Sequence, residues 1–370
     1  MHSNNTDESQ KTLKYQQIKE YIIGLAVEQK WLPGQKLPTE NDLVQQFNIS
    51  RTTVRQAFSD LEQEGIISRR RGQGTFFTGA EKNVGRHFLV GVTVSAPAYI
   101  YNEITQGAET VLVAAGYHLV IGRSALNLSL QKAGGGGASG WMPDGHLIEP
   151  WDRDNSINME EMCRELKARN TPFVLMNWIT QDPDVSFVAP DDEEAGARAY
   201  RYLRGLGHEK IAYVGMTGHQ PSSVRLAGLR EAARAEGRSL SERLVKETTA
   251  VIMNSPTLPD VATRELLTLG PERPTAIFYF NDEAASKGYQ VIREAGLSIP
   301  DDVSVIGFDD SRICQALYPA LSSFAHPKKR VGEMAARILL DRIENPDTFL
   351  PVHLLYLCKL RERGSVRKLH

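Results

Sequence analysis

A short segment near the N-terminus concentrates side chains that can read DNA bases. These side chains belong to Arg51, Thr52, Thr53, Arg55 and Gln56. Arginine can donate two parallel hydrogen bonds to guanine O6 and N7, and threonine can contact a thymine methyl group or a phosphate. Ser50 precedes them and suits the N-cap of a helix, whose first backbone amides favour a phosphate oxygen. The segment therefore predicts a helix that presents its N-terminal end to double-stranded DNA.

A basic turn with two glycines follows this helix. Its residues, with the one that begins the next strand, are Arg70, Arg71, Gly72, Gln73, Gly74 and Thr75. Strand-like segments at Ile66–Arg69 and Thr75–Thr78 flank the turn, so we predict a two-stranded β-ribbon. The glycines let the backbone approach the sugar-phosphate edge of DNA, and the arginines supply positive charge.

A third set of polar side chains lies immediately after strand-like runs in the rest of the chain. It comprises Asn177, Asn281, Asp282, Asp309 and Asp310. Planar amides and carboxylates can bond sugar hydroxyls in pairs, so these strand ends indicate a site for a polyhydroxylated ligand. Two members have structural alternatives. Asp282 can act as a charge at a helix N-terminus, and Asp310 can cap the next helix.

Three predicted helices position the DNA-reading segment. One spans Thr12–Lys30, and a shorter one follows Thr39, whose residue type suits an N-cap. The third spans Arg51–Gln63, and its buried stripe consists of Val54, Ala57, Phe58 and Leu61. With the β-ribbon, these helices predict a winged helix-turn-helix domain over residues 1–78.

Strand-like and helical patterns alternate through the rest of the chain. Apolar runs occur at Phe88–Val94, His118–Ile121, His146–Ile148, Phe173–Met176, Ile211–Val214, Ala276–Phe280 and Val303–Phe308. Helical patterns separate most of them, which is typical of βαβ units and parallel sheets. We therefore predict an α/β domain of two lobes over residues 88–370, after a linker at 79–87. A ligand is expected in the cleft between the lobes, beyond the carboxyl ends of the strands.

The composition narrows the class of protein. The chain has 370 residues, 41% of them hydrophobic and 24% charged, as expected for a globular protein of two or three domains. No apolar run approaches the ~18 residues of a membrane span, and the polar N-terminus shows no export signal. Three widely spaced cysteines fit the reducing cytoplasm. We expect no metal, because no cysteine–histidine cluster has metal-ligand spacing, and no membrane partner. Neither a P-loop nor a nucleophile elbow is present, so we also expect no cofactor and no enzymatic activity.

The N-terminal segment LPTENDLVQQFNISRTTVRQAFSDLEQEGIISRRRGQGTFF resembles the GntR-type winged-helix family along its whole length. The resemblance implies further DNA contacts at the opening of the second helix, from Thr39, Glu40 and Asn41. Many members of that family have a basic residue where this chain has Asn41. We therefore expect Asn41 either to contact a base through its side-chain amide, with an altered base preference, or to make no base contact.

The segments GHEKIAYVG, AIFYFNDEAASKGYQVIREAGLSIPDDVSVIGFDD and HPKKRVGEMAARILLDRI resemble the LacI/GalR-type effector domain, which has the fold of periplasmic sugar-binding proteins. Joined to a GntR-type head, this architecture resembles the arabinose-operon repressors. The resemblance implies a sugar-responsive repressor that binds a palindromic operator as a homodimer and is released by a small sugar. L-arabinose is the first candidate for this sugar. The implied sugar contacts are Tyr99, Tyr101, Asn102, Glu149, Asn177, Asp191, Arg225, Asn281, Asp309 and His326.

Several alternatives remain open from the sequence. The inducer can instead be another pentose, a hexose or a purine. The protein can also belong to a different class, an enzyme such as a PLP-dependent transferase that carries a DNA-binding head. Arg225 can be a surface arginine, and His326 can be a turn residue before Pro327. Leu126–Pro143 contains four consecutive glycines, each costing ~1 kcal/mol relative to alanine in a helix. This segment is either a flexible loop or a local error in the sequence.

Overall fold

The computed structural model describes most of the chain. The described residues are 17–19, 21–22, 25, 34–63, 66–70, 73–78, 88–93, 98–122, 143–149, 159–249 and 258–369. The chain divides into two compact units, Met1–His87 and Phe88–His370. The predicted linker at 79–87 and most of the glycine-rich segment 126–143 lie outside the described residues.

The first unit has the predicted winged helix-turn-helix fold. Its elements are α1 (Glu40–Phe47), α2 (Arg51–Gln63), β1 (Ile67–Arg70) and β2 (Gly74–Phe77). Thr39 caps α1 in a capping box, in which Asp42 accepts a hydrogen bond from the Thr39 backbone in return. The described residues of the predicted first helix are helical, and Ile18 and Ile22 are buried in the core that α2 completes.

The wing contains a backbone pairing that the sequence pattern did not predict. Leu37 N donates to Thr75 O at 2.9 Å, and Phe77 N donates to Gln35 O at 2.8 Å. Lys36 and Phe76 form an antiparallel bridge. The chain just before α1 is therefore bonded to β2 of the wing through an isolated antiparallel bridge.

The second unit alternates strands and helices, as predicted. Its strands are β3 (Leu89–Thr93), β4 (His118–Gly122), β5 (Gly145–Ile148), β6 (Phe173–Met176), β7 (Phe187–Pro190), β8 (Ile211–Thr217), β9 (Val245–Thr249), β10 (Ala276–Tyr279), β11 (Ser304–Phe308), β12 (Ser322–Ala325), β13 (His353–Tyr356) and β14 (Lys359–Arg361). Its helices are α3 (Ala98–Ala114), α4 (Met159–Ala168), α5 (Asp192–Gly205), α6 (Gln220–Ala235), α7 (Leu258–Leu267), α8 (Asp282–Glu294), α9 (Ile313–Ala316) and α10 (Lys328–Glu344).

Two six-stranded sheets divide this unit into two lobes. The first sheet has the strand order β13-β7-β6-β5-β3-β4, and all its neighbours are parallel. The second has the order β14-β12-β11-β10-β8-β9, and β14 is antiparallel to β12. Strands β3, β5, β6, β7, β10 and β11 are buried throughout, because helices cover both faces of each sheet.

The chain crosses between the lobes three times. It passes from β7 to α5, from β12 to α10, and from β13 to β14. After the second crossing, α10 returns to the first lobe and packs its apolar face with residues of α3 and β3. The carboxyl ends of the central parallel strands meet near these crossovers, which is where a ligand-binding cleft is expected.

Candidate functional sites

The N-terminal end of α2 presents most of the predicted DNA-reading side chains to solvent. Arg51, Thr52, Arg55 and Gln56 are exposed. Ser50 caps the helix, because its Oγ accepts a hydrogen bond from Thr53 N at 3.2 Å. The helix therefore begins where the sequence predicted.

Thr53 corrects the prediction that all these side chains lie on one exposed face. Only 6% of its surface is exposed, and its hydroxyl lies 2.8 Å from Ser50 Oγ. Thr53 is four residues before Ala57, so it continues the buried stripe rather than the exposed one. Its hydroxyl supports the helix cap.

Arg55 and Glu40 link the two helices of the head. Arg55 Nε donates to Glu40 Oε2 at 2.9 Å, while the Arg55 side chain stays 63% exposed. An exposed pair of this kind contributes at most ~1 kcal/mol to stability, so its main effect is to orient the guanidinium. Asn41 is exposed one residue further along α1. The Thr39 hydroxyl is engaged with Asp42 Oδ2 at 2.7 Å, as part of the cap.

The wing places one basic side chain and a glycine at its described tip. The Arg70 guanidinium lies 4.9 Å from the centre of the Phe76 ring. Gly74 has a φ of 119°, and a Cβ there would lie 2.7 Å from Lys36 Cε. Gln73 is exposed and Thr75 is half-buried, while Arg71 and Gly72 lie outside the described residues.

In the second unit, three predicted ligand-binding side chains are bonded to one another. Asn177 Nδ2 donates to Glu149 Oε1 at 2.8 Å, and His326 Nε2 donates to Asn177 Oδ1 at 3.0 Å. Glu149 and Asn177 follow β5 and β6, whereas His326 lies in the second crossover. His326 is therefore part of a buried network, and the alternative of a simple turn residue is wrong.

Burial sets the protonation of this network. It raises the pKa of Glu149 to about 8, although the hydrogen bond from Asn177 acts in the opposite direction. Burial, followed by the charges of Lys328 and Arg225, lowers the pKa of His326 well below its ordinary value. Glu149 Oε2 is buried and has no hydrogen-bond partner among the described residues. The network thus offers a neutral carboxyl and a neutral imidazole for bonding ligand hydroxyls.

Arg225 is buried in the second lobe and is not a surface arginine. Its Nε donates to Asp192 Oδ1 at 2.7 Å, and its Nη1 donates to Phe280 O at 2.5 Å. Its Cζ lies 3.4 Å from the centre of the Phe308 ring. These contacts fix the plane of the guanidinium, whose remaining N–H groups can donate to a planar polar partner.

Asp309 and Lys328 complete the polar groups near the second crossover. Asp309 is 5% exposed and has a φ of 107°. Burial, followed by the nearby Asp282 carboxylate, raises the pKa of Asp309 to about 7. Lys328 Nζ donates to the Asp309 carbonyl, and His326 Nδ1 lies 3.8 Å from Asp309 Oδ1. Asp309 therefore lies beside the network of Asn177 and His326.

Asn281 and Asp191 begin helices. Asn281 Oδ1 accepts from Ala284 N at 2.8 Å, and Asp191 Oδ1 accepts from Glu194 N at 3.0 Å. Each side chain is therefore held by a cap, on α8 and α5 respectively. Asp191 lies in the first crossover, between β7 and α5, whereas Asn281 follows β10 in the second lobe.

Two strand-end aspartates have structural roles. Asp282 is fully buried and accepts hydrogen bonds from Ser323 Oγ at 2.6 Å and Ser311 N at 2.7 Å. Asp310 accepts from Arg363 Nη2 at 2.6 Å. Arg312, rather than Asp310, is the N-cap residue of α9, so the alternative role of Asp310 as a helix cap is not observed.

The first-lobe residues Tyr99, Tyr101 and Asn102 lie in the first turns of α3, which begins at Ala98. Asn102 is exposed, and the side chains of the two tyrosines lie outside the described residues.

Three side chains near the cleft were not predicted from the sequence. Asp192 pairs with Arg225, as described above. His219 precedes α6, and its Nδ1 is buried with no partner in the described part of the chain. Burial, followed by the charge of Arg225, lowers the pKa of His219 to about 3. Gln220 lines a cavity together with Asn177 and Asp191. Asp192 and Gln220 bond to Arg225 and Ile179, which are distant in the sequence, so no local pattern marks them.

Two further features were sought in the described ranges. These ranges contain no group of three or more His, Cys, Asp or Glu side chains that could hold a metal ion. No helix within them is long and apolar enough to cross a membrane.

Comparison with known proteins assigns both units. Residues 14–77 match the gntR family of bacterial regulatory proteins, and residues 200–366 match a periplasmic binding protein-like domain. Over 97% of its length the chain is 31% identical to the whole arabinose metabolism transcriptional repressor of Geobacillus stearothermophilus. It is 30% identical to the repressor of the same name from Halalkalibacterium halodurans, across 90% of this chain and 89% of that one.

A solved structure agrees with these matches. The transcriptional regulator CelR-cellobiose complex is 26% identical, has a TM-score of 0.65, and covers 86% of this chain and 91% of its own. With its gntR-type head and its periplasmic binding protein-like domain, this chain therefore belongs to the family of the arabinose metabolism transcriptional repressors.

Proposed function

We propose that the protein binds a palindromic DNA operator as a homodimer and that L-arabinose, bound between the lobes, releases it. The sugar assignment rests chiefly on the buried network of Glu149, Asn177 and His326. The relatives named arabinose metabolism repressors, aligned over 97% and 90% of this chain, make L-arabinose the first candidate.

The chemistry of the cleft suits a neutral polyol. A sugar presents hydroxyl groups that both donate and accept. The network supplies an amide, a neutral imidazole and a carboxyl whose Oε2 has no partner in the described part of the chain. Arg225 on the Phe308 ring adds fixed N–H donors from the second lobe. A ligand bonded by both lobes favours their closed arrangement. By linkage, such a ligand lowers DNA affinity by the same factor by which DNA lowers ligand affinity.

An exposed apolar edge supports the homodimer. Strand β4 is the edge of the first sheet, and its Val120 and Ile121 are 48% and 56% exposed. Val113 at the end of α3 is also exposed. Apolar surface on an open sheet edge promotes association, so we assign the contact between two copies to this edge. Two heads held by a dimer match the two half-sites of a palindrome.

The first experiment is thermal unfolding of the purified full chain with L-arabinose, D-xylose, D-ribose, D-galactose and adenine in turn. A ligand at about 100 times its Kd stabilises the folded state by ~2.7 kcal/mol. We expect an increase in Tm with L-arabinose alone. A shift with another compound would keep the repressor and replace the inducer. No shift with any compound would contradict the sugar assignment.

The second experiment tests release from DNA. An operator is selected from a randomised palindromic library with the sugar-free protein, and its affinity is then measured with and without the sugar that raised Tm. We expect the sugar to weaken operator binding, with a two-copy complex on the DNA by analytical ultracentrifugation. The rival class, an enzyme with a DNA-binding head, predicts an absorption band of a bound cofactor in the purified protein.

A further inference from the structure

One side chain joins the two lobes through a pair of hydrogen bonds. Ile179 N donates to Gln220 Oε1 at 2.9 Å, and Gln220 Nε2 donates to Ile179 O at 2.8 Å. Ile179 follows β6 in the first lobe, whereas Gln220 begins α6 in the second. Neither residue belongs to a crossover, so these bonds connect the lobes independently of the chain's own connections. Both backbone polar groups of Ile179 are satisfied by one carboxamide, as a neighbouring strand would satisfy them.

The clamp formed by Gln220 and Ile179 is anchored in the second lobe. Pro221 follows Gln220, and Ser222 Oγ accepts from Met216 N at 2.9 Å and lies 2.9 Å from the Tyr213 hydroxyl oxygen. Met216 and Tyr213 belong to β8, which lies between β10 and the edge strand β9 in the second sheet. The start of α6 is therefore fixed to the sheet, and Gln220 has a rigid base.

The clamp is also anchored in the first lobe. Asn177, two residues before Ile179, is buried and bonded to both Glu149 and His326. Gln220, Ile179 and Asn177 line the same cavity. A change at the clamp therefore acts on the wall of the cavity and on the separation of the two lobes around it.

We propose that Gln220 is a positioning residue that holds the lobes closed around the effector and so sets the effector concentration needed for release. The proposal rests on the proposed function in taking the effector as a ligand of this cleft. The clamp makes its bonds to backbone atoms, so it adds the same closing free energy whichever sugar is bound. It affects affinity for all effectors and does not select among them.

The test compares Gln220→Ala and Gln220→Met with wild type in the full chain. Methionine keeps the length and packing of glutamine but can form neither bond. Ser223→Ala is the matched control, because Ser223 is exposed on the same turn of α6. Three quantities are measured: amide hydrogen exchange at Ile179, the Tm of the sugar-free protein, and the Kd of the sugar that raises Tm.

We expect faster exchange at Ile179 and about 5- to 30-fold weaker sugar binding in both Gln220 variants, with Tm close to wild type. Ser223→Ala should match wild type. Wild-type affinity in Gln220→Met would overturn the proposal, because the bonds would then have no part in closure. If no sugar binds wild type, the proposed function fails. Amide exchange at Ile179 then tests the clamp by itself. An amide that is protected in wild type and unprotected in both Gln220 variants supports the clamp. An amide that is unprotected in wild type, or still protected in both variants, overturns it.

Discussion

Arg225 and Asp192 form a buried ion pair, in which Arg225 Nε lies 2.7 Å from Asp192 Oδ1 and the two side chains are 6% and 8% exposed. Asp192 is the first residue of α5, and Arg225 lies within α6. A buried charge without its partner is strongly unfavourable, so each residue fixes the other. The pair thereby determines where the guanidinium of Arg225, a predicted sugar contact, is held.

Replacing Asp192 tests this dependence. In Asp192→Ala the guanidinium stays buried without its partner, and we expect a loss of about 3–5 kcal/mol in the free energy of unfolding, with weaker sugar binding. Asp192→Asn keeps an oxygen that accepts from Arg225 and should lose less of both. Glu193→Ala is the control, because Glu193 is exposed at the next position. Denaturant unfolding and sugar titration measure the effects. Equal stability and affinity in Asp192→Ala and wild type would rule out the coupling.

Two glycines allow α5 and α6 to approach closely enough for this pair. A Cβ at Gly196 would lie 1.9 Å from Arg225 O, and one at Gly228 would lie 1.9 Å from Glu193 O. Gly196→Ala should therefore displace α6, lowering the free energy of unfolding by about 1–3 kcal/mol or more and weakening sugar binding.

Gly205 provides the control on the same helix. A Cβ there meets no atom within 4 Å. Gly205→Ala should be neutral or stabilising by about 0.4–1 kcal/mol, because alanine restricts the unfolded chain. The pair is measured by denaturant unfolding. A Gly196→Ala variant as stable as Gly205→Ala would show that the helices tolerate a wider separation.

The sequence predicted seven strands of the second unit from their apolar runs, and it missed β7, β9, β12, β13 and β14. Strand β12 contains Ser322 and Ser323, both fully buried. Ser323 Oγ donates to Asp282, and Ser322 N donates to Ser365 Oγ. Partners more than forty residues away make this burial favourable, and hydropathy along the chain carries no information about them.

The residues of the candidate ligand site were likewise predicted only in part. The rule that ligands meet the ends of parallel strands found Asn177 and Asp309, because strand ends are visible in the apolar pattern. Arg225 was found through family resemblance. Gln220 and Asp192 were missed because their roles arise only when tertiary folding brings them to Ile179 and Arg225. Thr53 was misplaced because residue type was given more weight than its four-residue spacing from Ala57.

Glu149 makes stability depend on pH. Its pKa is about 8 in the fold, raised by burial from 4.5, so between these values the native state holds a proton that the unfolded chain releases. Stability should therefore fall as pH rises from about 5 to 8. Glu149→Gln removes this dependence and keeps an acceptor for Asn177.

The measured quantity is the difference in unfolding free energy between Glu149→Gln and wild type at several pH values. The variant should gain relative to wild type by up to about 1.4 kcal/mol per pH unit across this window, and the difference should level off above it. Burial also raises the pKa values of Asp192 and Asp309, to about 6 and about 7, but both are present in the two proteins and cancel. A difference that does not change with pH would mean that Glu149 is ionised in the fold.

Substitutions in the winged helix-turn-helix unit should distinguish contacts to DNA bases from contacts to the DNA backbone. Arg51 and Arg55 are exposed at the start of α2, and Glu40 orients the Arg55 guanidinium. Arg51→Ala or Arg55→Ala should weaken operator binding by ~1–3 kcal/mol and relax the preference at particular base pairs. Arg70→Ala, in the wing, should weaken binding to all sequences about equally and reduce the salt dependence by about one phosphate contact.

Ser59→Ala, exposed on α2 but outside the predicted interface, is the control. Binding to a panel of single-base operator variants at two salt concentrations distinguishes these effects. Wild-type specificity in both α2 variants would contradict docking of this helix in the major groove.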